Sequence, residues 1–227
     1  MFWYEASLKS LRTVCLAAAC FAPQVWAEDA APAVLQAPPA PSLVRQPVIA
    51  LDKALHGQAL VDALRQGGLV LYMRHAANGP SDGSCSNDSP LTAQGKADAQ
   101  VVGQALVSLG VRIGRIVTSA TCRTRMTGEL VGRSPVDQST DLNPVDPTDP
   151  RDWVAVRQAL LNAAPIGGSN TLLVSHFHSA ANSQDRLFLD MAEIIVFLPQ
   201  QAGRPLPLAR IPMALWPQLM PQSLASP

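Results

Sequence analysis

The sequence has little lysine, no excess of charge of either sign and no long apolar run. Only three of its 17 basic residues are lysine, and 17 acidic residues bring the formal net charge to zero. A general binder of nucleic acids or anionic membranes needs an excess of positive charge, so both classes are disfavoured. No apolar run reaches the roughly 20 residues that a membrane-spanning helix needs, so we expect no integral membrane segment.

What the sequence does contain is enough apolar material for a folded core and a marked preference for arginine. Its 227 residues, of which 48% are hydrophobic, suit one domain or at most two, since domains commonly span about 100–200 residues. The planar guanidinium group of arginine binds an anion through two parallel hydrogen bonds, whereas the ammonium group of lysine is a point charge. The arginine preference therefore favours recognition of a planar anion.

The first 27 residues are typical of a secretory signal peptide. Lys9 and Arg12 provide positive charge, residues 13–22 form a short apolar stretch, and Ala27 ends a segment suited to signal peptidase. The sequence therefore predicts an exported protein, in the periplasm.

Two further features concern the segment before the fold. A lipoprotein anchored through Cys20 is a minor alternative, because three alanines precede this cysteine. Residues 28–47 are rich in alanine and proline without apolar periodicity, which predicts a linker. The folded domain is expected to span residues 48–227.

Helical and strand patterns alternate through the remainder of the chain. Apolar spacing of three and four residues predicts helices at 58–66, 92–109, 123–132 and 151–163. Short apolar runs predict strands at 69–73, 113–119, 171–175, 193–198 and 206–211, and prolines and aspartates predict a loop at 137–149. This alternation predicts an α/β fold with a mainly parallel sheet.

Basic side chains follow three of the predicted strands. Arg74 and His75 end the first strand, Arg123 lies four residues after the second, and His176 follows the third. Since ligands of open α/β sheets bind beyond the carboxyl ends of the strands, we expect these residues to share one site. Two guanidinium groups would bind phosphate oxygens, and an imidazole among them could attack phosphorus.

Four ordered motifs resemble those of the histidine phosphatase superfamily, the phosphoglycerate mutase-like proteins, and its small branch in particular. They are the segments Leu71–Ala76 (LYMRHA), Leu91–Gly95 (LTAQG) with Ala99 and Gly103, Ser119–Thr127 (SATCRTRMT) and Leu173–His176 (LVSH). The resemblance covers residues 58–198. It implies a three-layer α/β/α fold.

The resemblance also implies a function and a set of site residues. His75 would be the nucleophile that becomes phosphorylated, and Arg74, Arg123 and His176 would bind the phosphoryl group. The implied enzyme is a phosphatase that hydrolyses a phosphomonoester or a phosphoramidate without metal or cofactor. Its partner would be a small phosphorylated substrate or a phosphoprotein. The alternative is a protein of the same fold that binds a phosphorylated ligand without turnover.

The sequence departs from the family pattern at the residues after the two histidines and at the general acid. Ala76 and Phe177 stand where glycine is frequent. Many members use a carboxylate from the segment that corresponds to residues 137–149, but Pro144 occupies the nearest family position. Asp146 is then the candidate acid by elimination.

Two alternatives to Asp146 remain open. Asp82 and Asp88 lie in the loop after His75 and could serve instead, and some small family members lack a strong acid.

The remaining polar residues receive less specific interpretations. A metal site built on His176 and His178 is a minor alternative, because zinc needs three or four such ligands. Glu193 opens a strand at the end of the sheet expected to lie away from the chemistry. Surface ion pairing is expected for four other arginines, namely Arg125, Arg133, Arg151 and Arg157.

The cysteines predict a disulfide bond near the site. Cleavage after Ala27 would leave only Cys85, in the loop after His75, and Cys122, directly before Arg123. An oxidising compartment would allow these thiols to pair, with two free thiols as the alternative.

Overall fold

A six-stranded sheet forms the middle of the structure, a computed structural model that describes residues 54–86, 88–133, 135–176 and 188–220. All of these residues belong to one compact unit, Arg45–Pro227. The signal peptide predicted at 1–27, the linker at 28–47, the predicted start of the domain at 48, Phe177 and His178 lie outside the described residues.

Helices and strands alternate along the chain as the sequence predicts. The strands are β1 Val70–Arg74, β2 Ile113–Thr118, β3 Asp137–Gln138, β4 Asn170–Ser175, β5 Ile194–Leu198 and β6 Leu206–Ile211. The helices are α1 Gly57–Gln66, α2 Ala93–Ser108, α3 Cys122–Gly132, α4 Trp153–Asn162 and α5 Trp216–Leu219, with 3-10 turns at Thr140–Leu142 and Met213–Leu215. Every predicted element lies within two residues of its expected bounds.

The chain differs from the prediction where elements are very short. The segment 137–149, expected to be a loop throughout, contains the two-residue strand β3 and the first 3-10 turn, and α5 has no predicted counterpart. Elements of two to four residues are too short to show a hydrophobic period.

The strand order explains how the site is assembled. The order is β3-β2-β4-β1-β5-β6; the first four strands are parallel to one another, whereas β5 is antiparallel to both of its neighbours. The prediction of a mainly parallel sheet is confirmed. The carboxyl ends of β1, β2 and β4 therefore meet at one edge of the sheet, together with the amino end of β5.

Side chains alternate between two apolar layers on the faces of the sheet. On β1, Leu71 and Met73 belong to the larger cluster with α1, α2, α3 and α5, whereas Tyr72 belongs to the cluster with α4 and the first 3-10 turn. Trp216 is fully buried in the larger cluster, and Leu161 of α4 is fully buried in the other. This arrangement confirms three α/β/α layers.

No helix in the described ranges combines the length and apolar character that crossing a membrane requires.

The start of α2 anchors the loop that follows His75. Thr92 caps the helix by accepting a 3.0 Å hydrogen bond from the Gly95 nitrogen, and Ala77 O accepts hydrogen bonds from Thr92 N (3.0 Å) and Thr92 Oγ1 (3.2 Å). Gly95 packs so closely that a β-carbon added there would lie 2.0 Å from Ala77 O. The absence of a side chain at Gly95 thus lets the loop reach the helix.

We predict that Gly95→Ala destabilises the fold, although alanine is the better helix former by about 1 kcal/mol. The new methyl group must push the Ala77 carbonyl away from Thr92, a change in a packed region that costs about 1–3 kcal/mol. Denaturant unfolding measures the effect, and Lys96→Ala, at an exposed position of the same helix, is the control. Equal or greater stability of Gly95→Ala would contradict the close approach.

Candidate active site

Three strand ends bring the expected basic residues together. Backbone hydrogen bonds of 3.0 Å continue the sheet beyond the strands, from His75 N to Ser175 O and from Ser119 N to Val174 O. His75 and His176 therefore lie next to each other, with ring centroids 5.5 Å apart and planes at 69°.

Arg123, in the first turn of α3, connects the two histidines. Its Nε donates to His75 Nε2 at 3.3 Å, and its Nη2 donates to His176 Nδ1 at 3.4 Å. The first turn of α3 is also fixed to the strand end, because Thr127 Oγ1 accepts from Ala76 N at 3.1 Å and donates to Arg123 O at 2.8 Å. One guanidinium group thus faces both imidazoles.

The hydrogen bonds assign a tautomer to each imidazole. His75 Nδ1 lies 2.9 Å from Ala76 O, a carbonyl that can only accept, so Nδ1 carries the proton and Nε2 keeps its lone pair. His176 Nδ1 accepts from Arg123, so its Nε2 carries the proton and donates to Ser119 Oγ at 3.0 Å. Nε2 of His75 therefore carries a lone pair that can act as a nucleophile, and this nitrogen faces the guanidinium of Arg123.

Burial and neighbouring cations keep both imidazoles neutral. Burial is the largest cause that lowers the pKa of His75 from 6.5 to about 4. The charges of Arg123 and Arg74 also lower this pKa, whereas the hydrogen bond to the Ala76 carbonyl and the charge of Asp88 raise it. Burial also lowers the pKa of His176 to about 3, assisted by Arg123, His75 and Arg157 and opposed by Asp88. At neutral pH both rings are therefore free bases.

Ala76 fits where the family motif has glycine. Its backbone does not adopt a left-handed conformation, and its methyl group is fully buried in the larger apolar cluster. Glycine is not required at this position because alanine meets no conformational penalty there.

Arg74 lies at the same edge and is held by the turn before β5. Its Nη1 donates to Leu189 O at 2.8 Å, and its backbone nitrogen donates to Glu193 O at 3.1 Å. The expectation that Glu193 lies at the far end of the sheet is wrong, because β5 runs antiparallel to β1 and therefore begins where β1 ends.

The side chain of Glu193 is buried and holds this turn in place. Only 2% of the residue is exposed, and its carboxylate accepts hydrogen bonds from Arg210 and from Asp190 N. Burial would raise the pKa of Glu193, but these bonds outweigh it and lower the pKa. An ionised Glu193 thus supports the turn that contacts Arg74.

Asp88 is the carboxylate that contacts the basic cluster. It pairs with Nη1 of Arg123 and accepts from the Cys122 nitrogen at the start of α3. Burial would raise the pKa of Asp88, but hydrogen bonds from the Ser89 and Cys122 nitrogens and the charge of Arg123 lower it. Asp88 is therefore ionised, an acceptor of hydrogen bonds rather than an acid.

A disulfide bond fixes Asp88 beside Arg123. Cys85 and Cys122 are bonded, as predicted, with their α-carbons 5.9 Å apart, and Asp88 N donates to Cys85 O at 3.0 Å. The loop after His75 is thereby joined to the helix turn that carries Arg123.

The other candidate acids lie on exposed loops. Asp146 is exposed, and its carboxylate accepts from Thr148 N (2.8 Å) and Thr148 Oγ1 (2.7 Å) rather than from either site histidine. Asp82 is likewise exposed and accepts from Ser84. The structure thus brings Arg74, His75, Arg123 and His176 together but does not join Asp146 to them.

The four arginines expected to form surface ion pairs divide into two groups. Arg125 pairs with Glu129 at 3.2 Å, and Arg151 pairs with Asp141 and Asp149, while Arg133 is exposed. The expectation is wrong for Arg157, which is only 3% exposed because α4 packs it between the sheet and the first 3-10 turn. Within the described ranges, no group of three His, Cys, Asp or Glu side chains is arranged to hold a metal ion.

One family model matches the part of the chain that carries most of this site. It is described as histidine phosphatase superfamily, branch 1, and it matches residues 70–149, which include Arg74, His75 and Arg123. The resemblance to the histidine phosphatase superfamily is confirmed. The family match supports a phosphatase, the enzyme class expected from the sequence. No curated protein matches the chain.

One solved structure of a protein histidine phosphatase shares the fold. The chain is similar to the protein histidine phosphatase SixA in complex with tungstate, with 22% identity, 64% of this chain and 97% of SixA covered, and a TM-score of 0.51. It is also similar to a phosphoserine phosphatase from Entamoeba histolytica in complex with 3-phosphoglyceric acid, with 15% identity, 63% and 96% covered, and a TM-score of 0.46. At these identities the likeness to SixA shows the fold alone.

We predict that the two buried histidines make the protein less stable as the pH falls from 6.5 to about 4. In this window the unfolded chain binds protons at both rings, whereas the folded state does not, so the free energy of unfolding falls with pH. The loss is about 3 kcal/mol at most for each ring. In urea unfolding of His75→Ala and His176→Ala, the free energy of unfolding should depend less steeply on pH than in the parent protein.

The exposed His56 provides the control for this measurement. His56→Ala should keep the steep dependence of the parent protein. Carboxylates with a lowered pKa lose their contribution only below their ordinary values, 3.8 for Asp88 and 4.5 for Glu193, which lie below or near the lower end of this window. A parental slope in both site variants would show that neither ring resists protonation.

We predict that reduction of the Cys85–Cys122 bond lowers both stability and activity. The bond closes a loop across a sequence separation of 37, for which the chain-entropy model gives about 4 kcal/mol. Its loss also frees the loop that holds Asp88 against Arg123. Thermal unfolding and turnover with and without reductant measure both effects. The double variant Cys85→Ser, Cys122→Ser is the control and should not respond to reductant; an unaffected parent protein would contradict the role of the bond.

Proposed function

We propose that the protein is a phosphatase that hydrolyses a phosphomonoester or a phosphoramidate through a phospho-histidine on His75. One observation carries this proposal. The lone pair of His75 Nε2 faces Arg123, whose guanidinium also contacts His176, and the charge of Arg74 acts on the same ring. The guanidinium that contacts this nitrogen would bind the oxygens of a phosphoryl group whose phosphorus lies next to Nε2.

The reaction has two displacement steps. His75 Nε2 attacks phosphorus, and the bond from phosphorus to the leaving oxygen or nitrogen breaks with its electron pair on the leaving atom. The proton on Nδ1 stays hydrogen-bonded to Ala76 O, and this bond stabilises the charge that develops on the ring. The leaving atom takes a proton from solvent where it needs one. Water then attacks phosphorus and loses a proton to solvent, and the bond from phosphorus to Nε2 breaks with its electron pair on Nε2, which releases phosphate and restores neutral His75.

The basic side chains supply the electrostatic part of this reaction. Arg74 and Arg123 would hold the equatorial oxygens of the phosphoryl group, and His176, whose Nδ1 accepts from Arg123, would orient that guanidinium toward the same group. Since the reaction needs no redox chemistry and no metal-bound water, we infer that the enzyme uses neither metal nor organic cofactor.

The state of the carboxylates bears on the leaving group. Asp88 is held ionised by Arg123, and Asp146 lies on an exposed loop, so neither is positioned as a protonated acid. This favours leaving groups that need little protonation, such as the already protonated nitrogen of a phosphoramidate. Small phosphorylated compounds and phosphoproteins both remain within this class of substrate.

We propose that the protein acts after export to an oxidising compartment, the periplasm. The charge, apolar stretch and cleavage pattern of residues 1–27 support this proposal, as does the Cys85–Cys122 disulfide. N-terminal sequencing of the exported form distinguishes cleavage after Ala27 from a lipid anchor on Cys20, and an uncleaved cytoplasmic chain would contradict export.

We predict that His75→Ala abolishes hydrolysis of p-nitrophenyl phosphate and of phosphoramidate, because no other imidazole nitrogen of the described residues occupies the nucleophilic position. Loss of a nucleophile commonly lowers kcat by several orders of magnitude. Brief exposure to a labelled phosphoryl donor should label the parent protein at His75 in acid-labile form and leave the variant unlabelled.

The exposed His56→Ala variant is the control and should keep both labelling and turnover. Chelators should leave the parental rate unchanged. If tungstate binds but no label or turnover appears with either class of donor, the alternative holds, and the protein binds a phosphorylated ligand without turnover. Parental turnover by folded His75→Ala would rule out the phospho-histidine route.

A further inference from the structure

A buried arginine lies beneath the site and has no place in the reaction described above. Arg157 belongs to α4 and is 3% exposed, whereas most residues of its helix remain at least partly exposed. Together with Leu161, one turn further along, it forms the buried face of that helix. Arginine keeps its charge even when buried, so α4 places a fixed positive charge inside the protein.

The guanidinium of Arg157 is held by neutral groups. Its Nη2 donates to Asn143 O at 2.5 Å and its Nη1 to Ser175 Oγ at 3.4 Å, and it lies 5.7 Å from the centre of the Trp153 ring. No carboxylate of the described residues forms an ion pair with it, and its Nε has no hydrogen-bond partner among them. The carboxylate of Asp141 acts on this charge only from a distance and is itself paired with Arg151, so the burial of Arg157 remains costly and calls for a function that offsets the cost.

Both of its hydrogen-bond partners lead directly to His176. Ser175 precedes His176 in the chain, and its Oγ also donates to Leu142 O at 2.6 Å. Asn143 Oδ1 accepts a hydrogen bond from Ala120 N at 2.9 Å. Ser119, the residue before Ala120, provides the hydroxyl that contacts His176 Nε2. Arg157 therefore connects the end of β4, which carries His176, with the segment around Asn143, which holds the turn that orients the His176 ring.

We propose that Arg157 is a positioning residue. It fixes the orientation of His176, on which the Nε2–H tautomer assigned by Arg123 and Ser119 depends, and it places a permanent positive charge behind the proposed phosphoryl-binding site. The inference depends on the proposed function only for the phosphorylated nature of the ligand. Arg157 acts through Ser175, Asn143 and Ser119, since its own side chain contacts no reacting atom.

The electrostatics of His176 agree with this geometry. The charged or titratable groups that act on its ring are Arg123, His75, Arg157 and Asp88, and burial is the largest cause of its low pKa. Arg157 lowers the pKa of His176 in addition, from the side opposite the pocket groups. Removing this charge should therefore raise the pKa while burial and Arg123 still hold it below its ordinary value.

The test compares Arg157→Met, which removes the charge and both hydrogen bonds, with Arg157→Lys, which keeps the charge. Ring ¹⁵N shifts of His176 at pH 7 report its tautomer, an acid titration reports its pKa, and calorimetry with tungstate reports anion affinity. Arg112→Met is the matched control, because Arg112 is exposed and precedes β2 at the end of the sheet away from the site.

We expect Arg157→Met to lose the single Nε2–H tautomer, to raise the pKa of His176 by about one pH unit and to weaken tungstate binding about tenfold. Arg157→Lys should keep the pKa of His176 within about 0.3 units of the parent, because the charge remains. It should lose part of the single-tautomer signal and weaken tungstate binding about threefold, because one ammonium group cannot replace both hydrogen bonds of the guanidinium. Arg112→Met should match the parent in all three measurements.

An unchanged tautomer, pKa and tungstate affinity in folded Arg157→Met would overturn the inference. If that variant does not fold, Arg157→Lys decides. It replaces the two-pronged guanidinium by a single ammonium, so a parental tautomer signal together with parental tungstate affinity would overturn the positioning role. A parent protein without phosphatase activity would contradict the proposed function alone, because the tautomer and tungstate measurements do not depend on turnover.

Discussion

The guanidinium of Arg123 is the interaction on which the rest of the site depends. Its three nitrogens contact three separate parts of the chain: His75 after β1, His176 after β4, and Asp88 in the loop between β1 and α2. This geometry requires the first turn of α3 to lie directly above the parallel strands β1, β4 and β2. The parallel order of these strands is thus the structural reason why residues from three distant parts of the sequence form one site.

The charge distribution around that guanidinium suits an anionic ligand. Arg74, Arg123 and the buried Arg157 are positive, the two imidazoles are neutral, and Asp88 is the carboxylate that contacts Arg123. A phosphoryl group would bring negative charge to a region where burial has already removed much of the screening by water. The same burial keeps His75 unprotonated, so the features that attract the anion also maintain the nucleophile.

Much of this architecture could be predicted from the sequence, because hydrophobic period and strand-end residues are local signals. Apolar runs located β1 and β4, and the residues after them proved to be neighbours. The direction of β5 could not be predicted, since a buried strand has the same pattern in both orientations, and Glu193 was therefore assigned to the wrong end of the sheet.

Arg157 was misjudged for a different reason. Surface pairing is the usual fate of an arginine, yet this one lies at spacings of four residues between Trp153 and Leu161, on the buried face of α4. A charge within an apolar stripe was the available signal. The candidate general acid could not be predicted because several aspartates in loops look alike in sequence. Only the tertiary contacts of Asp88 with Arg123 and the Cys122 nitrogen distinguish it from Asp146.

The loop after His75 shows how the site relies on a covalent bond where packing is weak. Residues 80–84 are exposed, so the apolar layers contribute little to their position. The loop is attached instead at its two ends, by Ala77 on Thr92 and by the Cys85–Cys122 bond beside Asp88. A thiol pair performs this task only where oxidation is maintained. The geometry of Arg123 is therefore linked to the redox state of the compartment in which the chain folds, so the proposed export and the proposed catalysis depend on the same bond.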